Sequence, residues 1–238
     1  MTEWFEEWFG EEYLHLYPHR DDEDADRLVR LIADRLALPP ETRVLDVACG
    51  AGRHARAFEQ LGFRTVGLDL SSPLLARARS ITGAPLVRAD MRHLPVRPRS
   101  LDLVVNLFTS FGYFDDDRDH EAALAAMIEA VRPGGWFVID YLNASWVRAT
   151  LVPEEHAVVA GTEVRIERWL HDRERYVMKT ISVPDGRQFV ERVRLLEPAE
   201  LRRMIERHGA AVEHQLGSYD GAPASSGAPR AIIMAKAA

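Results

Sequence analysis

The chain has a single cysteine, Cys49, in 238 residues, so no internal disulfide can form. Long apolar runs are also missing: no window approaches the ~18 consecutive apolar residues of a membrane-crossing helix, and no membrane partner is expected. The opening stretch, "MTEWFEEWFGEE", is acidic and lacks the basic n-region of a secretory signal, so a cytoplasmic location is expected. A basic face is scarce. The net charge is −7, and residues 1–24 carry nine acids against one base, Arg20. Arginines gather between positions 165 and 207, but acids interleave them, which reads as a solvated surface. Phosphate-backbone binding draws its affinity from clustered cations, so nucleic acid is disfavoured as a partner.

Several catalytic signatures are missing as well. A P-loop needs Gly-Lys-Ser/Thr after its glycines, and a nucleophile elbow needs Gly-x-Ser-x-Gly; neither occurs. "HEAAL" lacks the second histidine of a zinc protease helix, and Pro18 interrupts the i, i+4 pair His15 and His19. No metal is expected. Cys49 falls at a helix start, where a thiol pKa can drop, but no neighbouring base is evident in sequence, and it reads as a small turn-filling residue.

What is present is an ordinary globular mixture, 47% hydrophobic and 28% charged, long enough to bury a full core. Trp4, Phe5, Trp8 and Phe9 fall at helical spacing, in a segment ended by Pro18. A second helix carries Leu28, Leu31, Ile32 and Leu36 on one stripe behind an acidic start. From residue 43 short apolar strands alternate with helices: "RVLDVA", a helix over 52–61, "RTVGLDL", a helix over 73–80, "APLVRAD", "LDLVVNLF", the amphipathic "RDHEAALAAMIEAVR", then "WFVIDYL". That alternation predicts a parallel sheet covered on both faces. After Asn143 three segments, "EVRIERWL", "RYVMKTISV" and "RQFVERVRLL", alternate in antiparallel style, as an inserted sheet. A helix, "EPAELRRMIERHG", and two strands, "AAVEHQLGSY" and "RAIIMAKA", finish the chain.

The most informative stretch is "VLDVACGAGRHARAF". A strand that turns abruptly into a helix needs glycine where φ is positive, and glycine lets a ligand approach the main chain. The helix beyond points free N–H groups and the positive end of its dipole at that ligand. Gly50 and Gly52 therefore form a pocket for an anionic or polar group. Asp69 ends the next strand about 20 residues on, the spacing at which an acid reaches ribose hydroxyls in a doubly wound fold. Ala55 stands where a dinucleotide fingerprint places its third glycine. Asp46 sits at the junction of strand and loop, near the head of a bound ligand.

These segments together resemble the class I S-adenosylmethionine-dependent methyltransferases. "VLDVACGAG" resembles their first motif, with Asp46, Ala48, Gly50 and Gly52 in matching places; alanine stands at 48 where the family often has glycine, and is expected to be tolerated. "VGLDLS" resembles the second, placing Asp69 on the ribose and Leu70 beside it. "VRADMRHLP" resembles the adenine motif, with Asp90 toward the adenine amine and the Met91 backbone toward the ring edge. "LDLVVNLFTSFGYF" resembles the fourth, whose strand end, Asn106 and Leu107, lies beside the methionine part. "VRPGGWFVID" matches the turn before strand five. The resemblance implies an α/β fold: a doubly wound seven-stranded mostly parallel sheet, Rossmann-like, its last strand antiparallel, with an antiparallel β insert after strand five. It implies S-adenosyl-L-methionine as cofactor and an in-line methyl transfer, in which proximity supplies much of the rate.

The insert resembles the lid of small-molecule N- and O-methyltransferases, sugar-amine dimethyltransferases among them, whose N-terminal segment folds over the cofactor. That resemblance places Tyr17 and Arg20 near the cofactor, Arg20 pairing its carboxylate. The expected organisation is a helical cap over residues 1–40, a cofactor core over 41–142, a lid over 143–197 and completion of the sheet over 198–238. Phe108, Phe111, Tyr113 and Phe114 follow strand four, where the reacting methyl should project. Tyr113, Tyr141 and His171 are the catalytic candidates, with His120 and His156 as further bases, and Arg230 at the substrate mouth. The expected partner is a small-molecule methyl acceptor, with a homodimer as an option. A methyltransferase acting on RNA or protein, a non-catalytic nucleotide-binding protein and a nicotinamide dehydrogenase remain as alternatives.

Overall fold

Seven strands form one sheet, in the order Ala210–Leu216, Arg230–Ala237, Val131–Leu142, Leu101–Asn106, Arg43–Val47, Arg64–Asp69 and Leu86–Arg88. The computed structural model behind this description covers residues 3–17, 22–159 and 161–238. Strands β1 (Arg43–Val47), β2 (Arg64–Asp69), β3 (Leu86–Arg88), β4 (Leu101–Asn106) and β5 (Val131–Leu142) pair parallel with one another. β11 (Arg230–Ala237) runs antiparallel to both β5 and β10 (Ala210–Leu216). This is the expected doubly wound architecture with its antiparallel last strand. Parallel strands need crossovers, and α4 (Arg53–Gln60), α5 (Ser72–Ala78) and α6 (Asp117–Ala130) supply them.

Burial on both faces explains why these strands read as nearly continuous apolar runs. Leu45, Val47, Val104, Phe137 and Ile139 fill one side with α6 and α8 (Pro198–Arg207). Val44, Leu103, Val105 and Val138 fill the other, against Leu28, Val29 and Ile32 of α3 (Asp22–Arg35). Strand β5 begins earlier than "WFVIDYL": it reaches back through Pro133 to Val131, with an irregular register against β4 between Leu101 and Leu103.

Two local features differ from the sequence expectation. The aromatic N-terminal segment is not continuous but splits into α1 (Trp4–Trp8) and α2 (Glu11–Leu16), because Gly10 takes an extended backbone between them. The insert has four strands, not three: β6 (Glu154–Val159) joins β7 (Thr162–His171), β8 (Tyr176–Ser182) and β9 (Gln188–Arg194) at the sheet's edge, preceded by α7 (Ala144–Thr150). β6 escaped the sequence reading because mostly exposed "EEHAVV" shows little apolar alternation. Trp8, Tyr13 and Leu16 of the N-terminal helices pack on Val164, Ile166 and Ile181 of this sheet. The inserted sheet therefore backs the N-terminal helices.

Candidate active site

The turn after β1 is unusually contorted. Ala48, Gly50 and Gly52 all have positive φ, at 57°, 55° and 83°. At Gly52 the requirement is also steric: an added Cβ would lie 3.0 Å from the Ala78 Cβ, so this glycine lets α4 start against the end of α5. At Gly50 an added Cβ would meet only Leu74, at 4.0 Å, so the space over its main chain is open. The Cys49 N–H donates to the Leu68 carbonyl at 2.9 Å, which ties the turn to β2.

Asp69 holds this turn from the neighbouring strand. Its Oδ2 accepts the Gly50 N–H and its Oδ1 the Ser71 N–H, each at 2.8 Å. Ser71, not Asp69, caps α5, accepting from the Leu74 N–H at 3.2 Å. Asp46 lies directly behind, 1% exposed, accepting the Ala55 N–H, and its Oδ2 has no hydrogen-bond partner among the described residues. Burial, and then the charge of Asp69, push the Asp46 carboxyl up to about 8. Asp69 is also raised by burial, with the Ser71 and Gly50 N–H groups opposing. The same burial and the two acids push the Cys49 thiol up, which disfavours the thiolate; its Sγ packs over Gly67, where a Cβ would lie 2.9 Å away.

A cavity of about 540 Å³ opens over these groups. That is within the range of small-molecule sites. Ala48, Gly50, Asp69, Leu70, Asp90, Met91 and Leu107 line its floor and sides. Its cover is aromatic: Phe5, Phe9, Tyr13 and Tyr17 from the N-terminal helices meet Phe108, Phe111, Tyr113 and Phe114 from the loop after β4. The cover is fastened at three points. Trp4 Nε1 donates to the Tyr113 carbonyl at 3.0 Å. Ser71 Oγ donates to the Phe9 carbonyl at 2.5 Å. Trp8 Nε1 and Tyr17 Oη donate to Glu191 on β9, at 3.0 and 3.2 Å.

A fourth fastening was not foreseen from sequence. Arg92 donates to both Asp90 carboxylate oxygens, to Glu3 at 2.7 Å and to Asp119 at 3.2 Å, and its guanidinium lies 4.7 Å from the Phe114 ring centre. Burial alone would raise Asp90, but the Arg92 hydrogen bonds outweigh it and hold the carboxyl below its usual range. The sequence signal was only local: an arginine two residues after an acid whose carboxylate accepts that arginine's own N–H.

The remaining sequence candidates separate clearly. Tyr113 lines the cavity, its hydroxyl donating to the Thr109 carbonyl at 2.5 Å. Tyr141 does not: it is 0% exposed beneath the loop, its hydroxyl donates to the Arg194 carbonyl, and burial raises it far above the ordinary phenol range. His171 is exposed on β7, outside the cavity lining. Both are withdrawn as catalytic groups, because neither side chain reaches the cavity. His156 is exposed on β6 beside Glu154, and His120 is buried between Phe111 and Phe114 with its pKa lowered by burial. Asn106 is buried, its amide donating to the Val47 and Ser110 carbonyls at 3.1 and 3.4 Å, so it braces the β4 end. Gly52 lies outside the lining, as does Arg230, which pairs with buried Asp140 at 2.8 Å and does not point a free charge at a substrate mouth. Arg20 lies outside the described residues.

Residues 44–135, from β1 to the turn inside β5, match the family model described as a methyltransferase domain. A dTDP-3-amino-3,4,6-trideoxy-alpha-D-glucopyranose N,N-dimethyltransferase of Streptomyces venezuelae is 31% identical over 83% of this chain and 88% of its own. The chain belongs to the class I S-adenosylmethionine-dependent methyltransferases. Solved methyltransferase structures share the whole architecture, insert included. One from Clostridium acetobutylicum superposes with a TM-score of 0.81 at 18% identity, over 95% of this chain and 98% of its own. A sugar N-methyltransferase from a Streptoalloteichus species gives 0.69 at 26% identity, over 96% and 93%. The methyltransferase turn here carries alanine at a positive-φ position, and its cofactor is S-adenosyl-L-methionine. The residues present fit that group: a buried acid with an orphaned oxygen, an open glycine main chain and a second acid at a strand end suit a ligand that is cationic, zwitterionic and ribose-bearing.

Proposed function

We propose that this methyltransferase acts on an amine nitrogen or a hydroxyl oxygen of a small molecule, with an aminosugar as the first acceptor class to test. The observation that carries it is the aromatic cover. Phe5, Phe9, Tyr13 and Tyr17 lie over the cavity, and this aromatic lining suits a small acceptor. The Streptomyces venezuelae relative is by its name an N,N-dimethyltransferase of a dTDP-linked amino-deoxy sugar.

The bound cofactor supplies an electrophilic methyl on a sulfonium. The chain's residues do the rest by holding and excluding. Asp69 already accepts two N–H groups, but a carboxylate has about four acceptor sites, which leaves capacity for ribose hydroxyls. Asp90 is engaged by Arg92 at both oxygens, so an adenine amine would share those oxygens with the Arg92 guanidinium, with the Met91 main chain beside it and Leu70 against the sugar. The open main chain at Ala48 and Gly50 receives the carboxylate of the methionine part, and Leu107 flanks it. Tyr17 covers the site, and Arg20 is proposed as a further carboxylate partner. The Asp46 carboxyl behind the turn becomes an anion when a cation arrives in front of it. Aromatic faces on the cover tolerate the sulfonium through cation–π attraction. Tyr113, whose proton is given to Thr109, presents oxygen lone pairs that can accept an N–H from an incoming amine and turn its lone pair toward the methyl. The cap and the core wall the reaction vessel, the lid holds the cap through Glu191, and the completing strands hold Asp140 through Tyr219 and Arg230.

Calorimetry with S-adenosylmethionine, its demethylated product and NAD tests the cofactor, and a methyl-transfer assay over aminosugars, phenols and short peptides tests the acceptor. Binding of NAD in place of the methionine nucleosides would overturn the reading.

A further inference from the structure

The wall of the cavity beyond β4 is held in a conformation its residues do not favour. Phe108 and Thr109 have φ of 58° and 59°, although neither is glycine and Thr109 is β-branched. Such residues rarely enter the left-handed region, and they stay there only where surrounding contacts over-determine them. The contacts come from one residue of the next strand. Asp140, 0% exposed on β5, accepts the Phe108 N–H on Oδ2 at 3.0 Å, and its main-chain carbonyl accepts the Thr109 N–H at 2.9 Å. Asp140 is itself clamped. The Tyr219 hydroxyl donates to Oδ2 at 2.8 Å and Arg230 Nε to Oδ1 at 2.8 Å. Three donors converge on one buried carboxylate and occupy three of its roughly four acceptor sites, and the Arg230 guanidinium offsets its charge.

Phe108 also reaches back across the cavity. The Arg53 guanidinium, which follows the glycine turn, lies 5.0 Å from its ring centre, and that of Arg230 lies 5.9 Å away. The turn set by Asp140 thus meets the turn set by Asp69 on the side of the cavity where β4 and β1 are neighbours. With ribose at the β2 end, a ligand laid along the order β4-β1-β2-β3 puts its amino-acid part at this closure.

We propose that Asp140 is a positioning residue which, through the Phe108–Thr109 turn, closes the methionine end of the cofactor site. This rests on the cofactor orientation proposed above. It separates the two halves of the ligand: adenosine is gripped at β2 and β3, whereas the amino-acid part depends on Asp140.

The test measures binding of S-adenosylhomocysteine and of 5′-methylthioadenosine, which lacks the amino-acid part, to the intact protein and to Asp140→Asn. Asparagine keeps the size but presents an N–H₂ to one of the three donors. The expected result is an S-adenosylhomocysteine affinity reduced about tenfold or more, with methylthioadenosine within about twofold. Adding Thr109→Gly, which enters positive φ freely, should recover part of the loss. Equal losses for both ligands, or none for either, overturn the proposal. If Asp140→Asn does not fold, Tyr219→Phe removes one clamp and should show the same split at about threefold; unchanged affinities there also overturn it. Wild-type protein that binds neither ligand would instead refute the cofactor reading.

Discussion

The Asp69 carboxylate accepts the Gly50 N–H at 2.8 Å, so the acid at the end of β2 holds the glycine turn at the end of β1. One group thus shapes the cradle and faces the cavity. Replacing it by alanine removes a charged partner from the turn and from the ribose together. Asp69→Ala should weaken S-adenosylmethionine binding by ~1–3 kcal/mol, the cost of losing hydrogen bonds to a charged group. Calorimetry on the folded variant checks this; undiminished affinity would remove Asp69 from the site.

Ala48 lies in the same turn at a φ of 57°. An L-residue in the left-handed region is strained by ~1–2 kcal/mol, while glycine carries an unfolded-state entropy cost of roughly 0.5–1 kcal/mol. Ala48→Gly should therefore raise stability by about 0.5–1 kcal/mol in denaturant titration. A lower midpoint would show that the Ala48 methyl makes packing contacts worth more than the strain.

The Asp46 carboxyl, pushed up to about 8 by burial and Asp69, titrates well above its unfolded value of 3.8. Between those values the folded protein holds a proton that the unfolded chain has released. Stability from this group is therefore full below about pH 4 and is lost progressively as pH rises to about 8. Asp46→Asn should flatten that slope in melts across pH 5–8. A cationic cofactor favours the anion, so binding near neutral pH should release a proton, read as a dependence of the calorimetric enthalpy on buffer ionisation heat. Buffer-independent enthalpies would contradict it.

Arg92 joins Glu3 at the start of the cover to Asp90 on the cavity wall. Arg92→Met should free the aromatic helices α1 and α2, and chymotrypsin should then cut between Trp4 and Tyr17 faster than in the wild type. Cofactor should protect that stretch in the wild type and protect it less in the variant. Identical digestion rates in all four conditions would dismiss the coupling.

Tyr113 is the one tyrosine of the original pair at the cavity. Tyr113→Phe should lower kcat for an amine acceptor by about tenfold, the ~1.4 kcal/mol of one lost positioning hydrogen bond, with cofactor affinity unchanged. A loss of cofactor affinity instead would mark Tyr113 as a wall residue.

Much of this molecule was legible in one dimension. Glycines between a strand and a helix, an acid ending the next strand and an acid within "VRADMRHLP" depend on dihedral preferences and a fixed crossover length, both written in neighbouring residues. The alternation of apolar strands with helices likewise specified a doubly wound sheet, because a strand buried on both faces must be apolar throughout. Tertiary packing alone decided which side chains meet. Tyr113 and Tyr141 look alike in sequence, yet the first faces the cavity and the second lies beneath the loop, where a Cβ on Gly112 would come within 2.2 Å of its hydroxyl. Arg92 finds Glu3 across 89 residues, and Arg230 finds Asp140 across 90. Such pairings depend on how helices and strands dock, which no local pattern encodes, and they convert a generic cofactor cradle into a covered site.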